Sequence, residues 1–190
     1  MPAARRGKSM TEAHHFEAFM RNYQNMVFST AFRLVANQAE AEDISQEVFL
    51  KAYERYDQLR DSPTVGGWLK TVATNLSLNH LTRYRARWRF FSEMVSPHDD
   101  TDATLEIPAP ETLHRELDAA DQRRLLDAAL QKLPAAQRVP LVLFHLEGRS
   151  YEEISVALGI SLSKVKIDIF RGREALRRRI KVNPAGPDSN

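Results

Sequence analysis

The segment Ser150-Tyr151-Glu152-Glu153-Ile154-Ser155-Val156-Ala157-Leu158-Gly159-Ile160-Ser161 constrains the fold more than any other part of the chain. Ser150 with Glu153 three residues on is a capping box, so a helix starts there. Ile154, Ala157 and Leu158 fall on one face of it. Gly159 supplies a tight turn and Ile160 plugs the angle to a second helix. Ser161 caps that helix, whose buried stripe is Val165, Ile169, Leu176 and Ile180. Between Ser161 and Lys181 stand eight Lys or Arg against Asp168 and Glu174, a net of +6. Two helices at this spacing, the second strongly basic, form a helix-turn-helix that fits the major groove of DNA. The competing reading is a plain helical hairpin with a solvated basic face.

The chain has 190 residues, enough for one large domain or two small ones. Its net charge of +2 excludes a generic polycation, but the charge is unevenly placed. Lys70 to Phe91 holds five basic residues and no acidic one, whereas Ser96 to Asp118 holds seven acidic residues and one basic, Arg115. Two basic lobes around an acidic strip suggest two nucleic-acid contacts and a middle that avoids DNA. The absence of cysteine excludes disulfides, thiol catalysis and cysteine-zinc sites. No apolar run reaches the length of a membrane span and no secretory signal is visible, so the expected location is the cytoplasm. Met1 to Ser9 is polar and basic, and precedes a second methionine, Met10, that could be the native start.

The periodicity is helical almost throughout. Phe16, Phe19, Tyr23, Met26, Val27, Thr30, Ala31 and Leu34 predict a helix from about Glu12 to Val35, broken by Asn37 and Gln38. A second helix is predicted from Ala39 to Tyr56, with Ile44, Val48, Phe49, Ala52, Tyr53 and Tyr56 inward. Asp57 to Gly67 reads as a loop, and a third helix runs from Trp68 toward Met94. The stretch 96–110, with three prolines and four acids, reads as a flexible linker. A helix from near Glu111 to Leu133 follows, with Leu125, Leu126 and Leu130 among its inward residues; the next is opened by Pro134 and interrupted by Pro140, where a bend is expected. The expectation is therefore an all-α chain: a disordered extension at 1–11, a domain at 12–95, the linker at 96–110, a domain at 111–182, and a disordered tail at 183–190.

Two segments of the first domain carry chemistry. On the second helix Asp43, Gln46, Glu47 and Leu50 project from one side. Two carboxylates at this spacing could bind a divalent metal, form a solvated face favoured by the helix dipole, or dock a partner around an exposed leucine. On the third helix Asn75, Asn79 and Arg83 form one polar stripe followed by an arginine-rich, aromatic tail. Amides and arginine can bond bases and phosphates, and aromatic rings can stack on unpaired bases. Asparagine is a poor helix former, which makes a purely structural origin of the stripe harder to sustain.

Four stretches together, Ala41 to Tyr53, Trp68-Leu69 through Asn75 with its arginine tail, Leu133-Pro134 with Gln137-Arg138, and Glu147 to Ile154, resemble the bacterial sigma factors of the extracytoplasmic-function group. The resemblance covers about residues 12–181 and implies two helical domains, sigma region 2 and sigma region 4. It implies that Asp43, Gln46, Glu47, Phe49 and Leu50 dock on core RNA polymerase at the beta-prime clamp helices, with the beta flap as a second contact. It implies −10 promoter contacts from Leu59, Arg60, Trp68, Asn75, Asn79, His80, Arg83, Arg85 and Arg87, and −35 contacts from Arg149, Ser163, Lys164, Lys166, Asp168, Arg171 and Arg173. An anti-sigma factor is the further partner of such proteins; no cofactor, metal, membrane or catalytic residue is implied. The linker acids Asp99, Asp100, Asp102 and Glu106 would thread toward the polymerase active centre, or serve as a solvated spacer. This chain departs from the family pattern at Ile167 and Asp168. Asp168 can accept from a cytosine amino group, pair with Lys164 or Arg171, or face away. Two rivals stand beside this reading: a helix-turn-helix regulator acting without polymerase, and a metal-dependent nucleic-acid enzyme built on Asp43 and Glu47.

Overall fold

The computed structural model describes residues 3–92 and 119–182, and within them the side chains of 14–83 and 122–180. The linker at 96–110, the tail at 183–190 and the side chains of Arg85 and Arg87 lie outside the described residues. Eight helices and no strand occur among the described residues. They are α1 (Ala3–Val35), α2 (Gln38–Glu54), α3 (Tyr56–Leu59), α4 (Val65–Ser92), α5 (Ala119–Gln131), α6 (Ala135–His145), α7 (Tyr151–Leu158) and α8 (Leu162–Val182). The chain divides into two compact units, 1–84 and 85–190. The fold class is all-α.

The first unit is built on α1, α2 and α4. Helix α1 begins at Ala3, ahead of the expected Glu12. It ends where Ala36 turns into the left-handed region at φ 57°. Asn37 then caps α2, its Oδ1 accepting from the Glu40 N–H at 3.1 Å. Gln38 is the first residue of α2, one position ahead of the expected Ala39. The core interleaves Val27 and Ala31 of α1 with Ala41, Ile44, Val48 and Ala52 of α2 and Leu69 and Ala73 of α4. Each large aliphatic side chain buried in this way contributes about 1.5–3 kcal/mol. Phe16, Phe19 and Tyr56 close one end by edge-on ring contacts at 5.2 and 5.5 Å.

Tyr53 and the start of α4 depart from expectation in this unit. Tyr53 stays 62% exposed, because it only laps the edge of Phe16 at 4.9 Å. Helix α4 starts at Val65 and takes Gly66 and Gly67 into its first turn. Ser62 and Thr64 shape the entry, with the Thr64 N–H donating to Ser62 Oγ at 3.3 Å and the Trp68 N–H to the Thr64 carbonyl at 3.0 Å. Burial of Val65 and Leu69 outweighs the poor helix propensity of two glycines.

The second unit is organised by α6, whose middle carries Val139, Pro140, Leu141, Val142 and Leu143 inside, while its two ends are exposed. Pro140 sits within α6, its ring among the most completely buried side chains. Pro134 caps the start of α6, as its fixed φ and missing N–H favour. Arg138, only 5% exposed, turns back and donates from Nη1 to the Leu133 carbonyl at 2.8 Å, satisfying a backbone acceptor just past the end of α5. Burial lowers the pKa of this guanidinium from its ordinary value. Leu125, expected inward on α5, is 39% exposed, while Leu130 and Leu133 are buried. Helices α7 and α8 complete the unit with Ile154, Val165 and Ile169 buried; Leu176 and Ile180 are half-buried.

Candidate nucleic-acid and partner surfaces

The helix-turn-helix assembles from local bonds. Ser150 Oγ accepts from the Glu153 N–H at 3.2 Å, and Glu153 Oε2 accepts from the Ser150 N–H at 2.8 Å. The Ser150 N–H foremost, and then the Ser150 hydroxyl, hold the Glu153 carboxyl below its usual range, with a smaller share from Arg149. Gly159 ends α7 in the left-handed conformation at φ 63°, which glycine adopts without cost. Ser155 Oγ then donates to the Ile160 carbonyl at 2.6 Å, fixing the turn. Ser161 Oγ accepts from the Lys164 N–H at 3.2 Å and caps α8. Phe144 stacks on Tyr151 at 4.6 Å, pinning the start of α7 to the end of α6. At the same end of α6, burial first and the Arg173 charge second push the His145 pKa down.

Along α8 the basic residues fall into two kinds. Lys166 and Arg171 are exposed and have no ion-pair partner among the described residues. Ser163 is exposed beside them, while Arg149 and Arg173 are half-buried. Asp168 is 4% exposed and its Oδ2 lies 3.0 Å from Lys164 Nζ. Of the three readings of Asp168, the pair with Lys164 is the one that forms. A direct base contact from Asp168 is set aside, because a buried carboxylate already bonded to a lysine is not offered to a base edge.

In the first unit Asn75, Asn79 and Arg83 are all exposed along one side of α4. Thr71, also exposed, turns its hydroxyl back to the Gly67 carbonyl at 2.9 Å. The remaining expected DNA contacts separate from this stripe. Leu59 is 8% exposed and belongs to the core, where apolar burial is worth more than a surface contact. Trp68 is half-buried against the same core. His80 Nε2 lies 3.0 Å from Glu40 Oε2, tying α4 to α2. Arg60 is flanked by Asp57 at 3.7 Å and Asp61 at 3.3 Å. An open depression of about 600 Å³ lies between α1 and α3, bordered by Phe19, Asn22, Tyr23, Tyr56 and Arg60.

On α2 the exposed face carries Asp43, Gln46, Glu47 and Leu50, with Leu50 66% exposed. Phe49 is 6% exposed and points into the core, so it is removed from this surface. Tyr53 takes its place as the second exposed apolar group, one turn from Leu50. Sequence reading placed it inward, although its spacing from Leu50 on a helix already put the two side chains together. Glu47 is 3.6 Å from Lys51. Among the described residues no group of three or more His, Asp or Glu could hold a metal ion. No described helix is long and apolar enough to cross a membrane.

Residues 19–87 match the family model of sigma-70 region 2, and residues 123–176 that of sigma-70 region 4. The RNA polymerase sigma-H factor of Pseudomonas aeruginosa is 30% identical over 87% of this chain and 86% of its own length. This chain belongs to the sigma-70 family. The ECF RNA polymerase sigma factor SigW of Bacillus subtilis is 29% identical over 84% of the chain and 85% of that protein. The ECF sigma factor SigE of Mycolicibacterium smegmatis is 35% identical over 85% of the chain, which spans 60% of that relative's length. These relatives place the chain in the extracytoplasmic-function group of the family. Its region 2 contains α2 and the amide stripe of α4, and its region 4 contains the helix-turn-helix.

Proposed function

We propose that this chain is the promoter-specificity subunit of a cytoplasmic RNA polymerase. It binds core polymerase, reads promoter DNA at two separated elements and assists opening of the duplex for transcription of a specialised gene set. The observation that carries the reading is the presence in one chain of two chemically different exposed polar surfaces, one in region 2 and one in region 4. The exposed amides Asn75 and Asn79 with Arg83 suit unpaired bases. Lys166 and Arg171, on the second helix of a helix-turn-helix, suit phosphates and base edges of a duplex. The acidic face of α2, with Leu50 and Tyr53 exposed on it, provides the contact to polymerase. An anti-sigma factor is a further partner on this reading. The chain works as a subunit of an enzyme and supplies no catalytic group of its own.

Run-off transcription with purified core polymerase on genomic fragments tests the proposal. Discrete start sites that appear only when the chain is added are expected. Duplex binding by the chain with no such transcripts would favour a regulator acting outside the polymerase.

A further inference from the structure

The second helix of the helix-turn-helix contains an acid that its DNA-reading role does not call for. Asp168 is buried, and Lys164, one turn earlier, reaches both of its oxygens, at 3.0 Å to Oδ2 and 3.3 Å to Oδ1. Lys164 is its sole hydrogen-bond or ion-pair partner among the described residues. The two side chains differ sharply in exposure, 52% for Lys164 against 5% for Asp168. That asymmetry decides which group depends on the other. A carboxylate removed from water has no substitute for its partner, whereas an exposed ammonium can always be solvated. Lys164 gains as well, because it lies in the first turn of α8, where the helix dipole disfavours a cation. Lys166 and Arg171 lie on the same helix, exposed and without ion-pair partners among the described residues.

We infer that Asp168 is a positioning residue for promoter specificity: it holds Lys164 on the body of the helix and withdraws its charge from phosphate contact. The inference rests on the reading of α8 as the DNA-reading helix. The N-terminal turns of such a helix meet the base edges. A free lysine there would bind the backbone of any sequence. With Lys164 held, those turns offer the exposed Ser163 and Lys166 and the partly exposed Ile167, and the non-specific term is smaller by one cation. Specificity rises because the competing sequence-independent binding falls.

The test uses the full chain, a random-sequence duplex, and a duplex enriched from a randomised pool by the wild-type chain. Binding is measured across a salt series, with circular dichroism on each variant. Asp168→Asn should bind the random duplex more tightly, with a salt slope steeper by about 0.9, the value of one added phosphate contact. Its preference for the enriched duplex should shrink. Lys164→Gln keeps a donor for the carboxylate and should leave the slope unchanged. The double variant should return to the wild-type slope, an outcome that helix destabilisation alone would not produce. If Asp168→Asn fails to fold, Lys164→Gln decides alone: a slope lower by about 0.9 means that Lys164 touches phosphate and overturns the inference. An unmoved slope and preference in a folded Asp168→Asn overturns it equally, while leaving the DNA-reading assignment of α8 in place. A wild-type chain that binds neither duplex at any salt overturns both.

Discussion

Gly172 of α8 faces the backbone of Gln137 in α6 so closely that a β-carbon at position 172 would stand 3.2 Å from the Gln137 carbonyl oxygen. The same atom would stand 3.5 Å from Gln137 Cβ and from Leu141 Cδ2. Glycine within a helix costs about 1 kcal/mol relative to alanine. Here that cost is offset by letting α8 lie directly on α6. Gly172→Val, which adds a branched side chain against backbone, should destabilise the second unit by about 1–3 kcal/mol in urea titration. An unchanged midpoint would show that the two helices can separate freely.

Ala36 ends α1 with φ at 57°, a conformation that L residues other than asparagine and aspartate seldom adopt. Glycine is the residue that favours this place after a helix. Ala36→Gly should therefore stabilise the first unit by about 1 kcal/mol, seen as a higher denaturation midpoint. A lower midpoint would mean that the added freedom of the unfolded chain outweighs the relieved strain.

The capping box predicts a pH dependence with a definite sign. The Glu153 carboxyl is held below its usual range, chiefly by the Ser150 N–H and then by the Ser150 hydroxyl. A depressed folded-state pKa means that the carboxylate stabilises the fold at pH above the ordinary glutamate range. That contribution is lost as pH falls through the depressed value. The stability difference between the wild type and Glu153→Gln should accordingly be largest near neutrality and shrink on acidification. A difference that stays constant through that window would remove the linkage.

The polymerase contact is testable on α2. Asp43→Arg with Glu47→Arg should abolish co-purification with core polymerase while helix content is unchanged, since both side chains are exposed. Like charges set across a complementary interface cost several kcal/mol. Leu50→Asp should act in the same direction, its side chain being 66% exposed. Normal co-purification of the charge-reversed chain would place the contact elsewhere.

The amide stripe makes a separate prediction. Asn75→Ala with Asn79→Ala should suppress promoter opening, read as lost permanganate reactivity near −10, with duplex binding retained. Opening at the wild-type rate would make the stripe a matter of helix surface only.

The helix-turn-helix was legible in the sequence almost residue by residue. Its bonds join groups three to five positions apart: Ser150 with Glu153, Ser155 with Ile160, Ser161 with Lys164. Local spacing can be read from one chain because the helix itself brings those groups together. The periods of α1, α2 and α8 were legible for the same reason, and with them the all-α class.

The tertiary structure decided what neighbouring positions do when the helical pattern admits either answer. Phe49 and Leu50 are adjacent and both apolar, yet one is 6% and the other 66% exposed, because only Phe49 meets the facing helices of the first unit. Leu59 went to the core, and His80 to Glu40 across two helices. Gly66 and Gly67 became helix because Val65 and Leu69 around them are buried. Asp168 had three readings in the sequence and has one in the fold, since the packing of α8 leaves its carboxylate out of water with Lys164 beside it. Helical spacing determines which residues share a face. Which face is buried, and what a buried polar group must then pair with, follows from contacts between segments far apart in the chain.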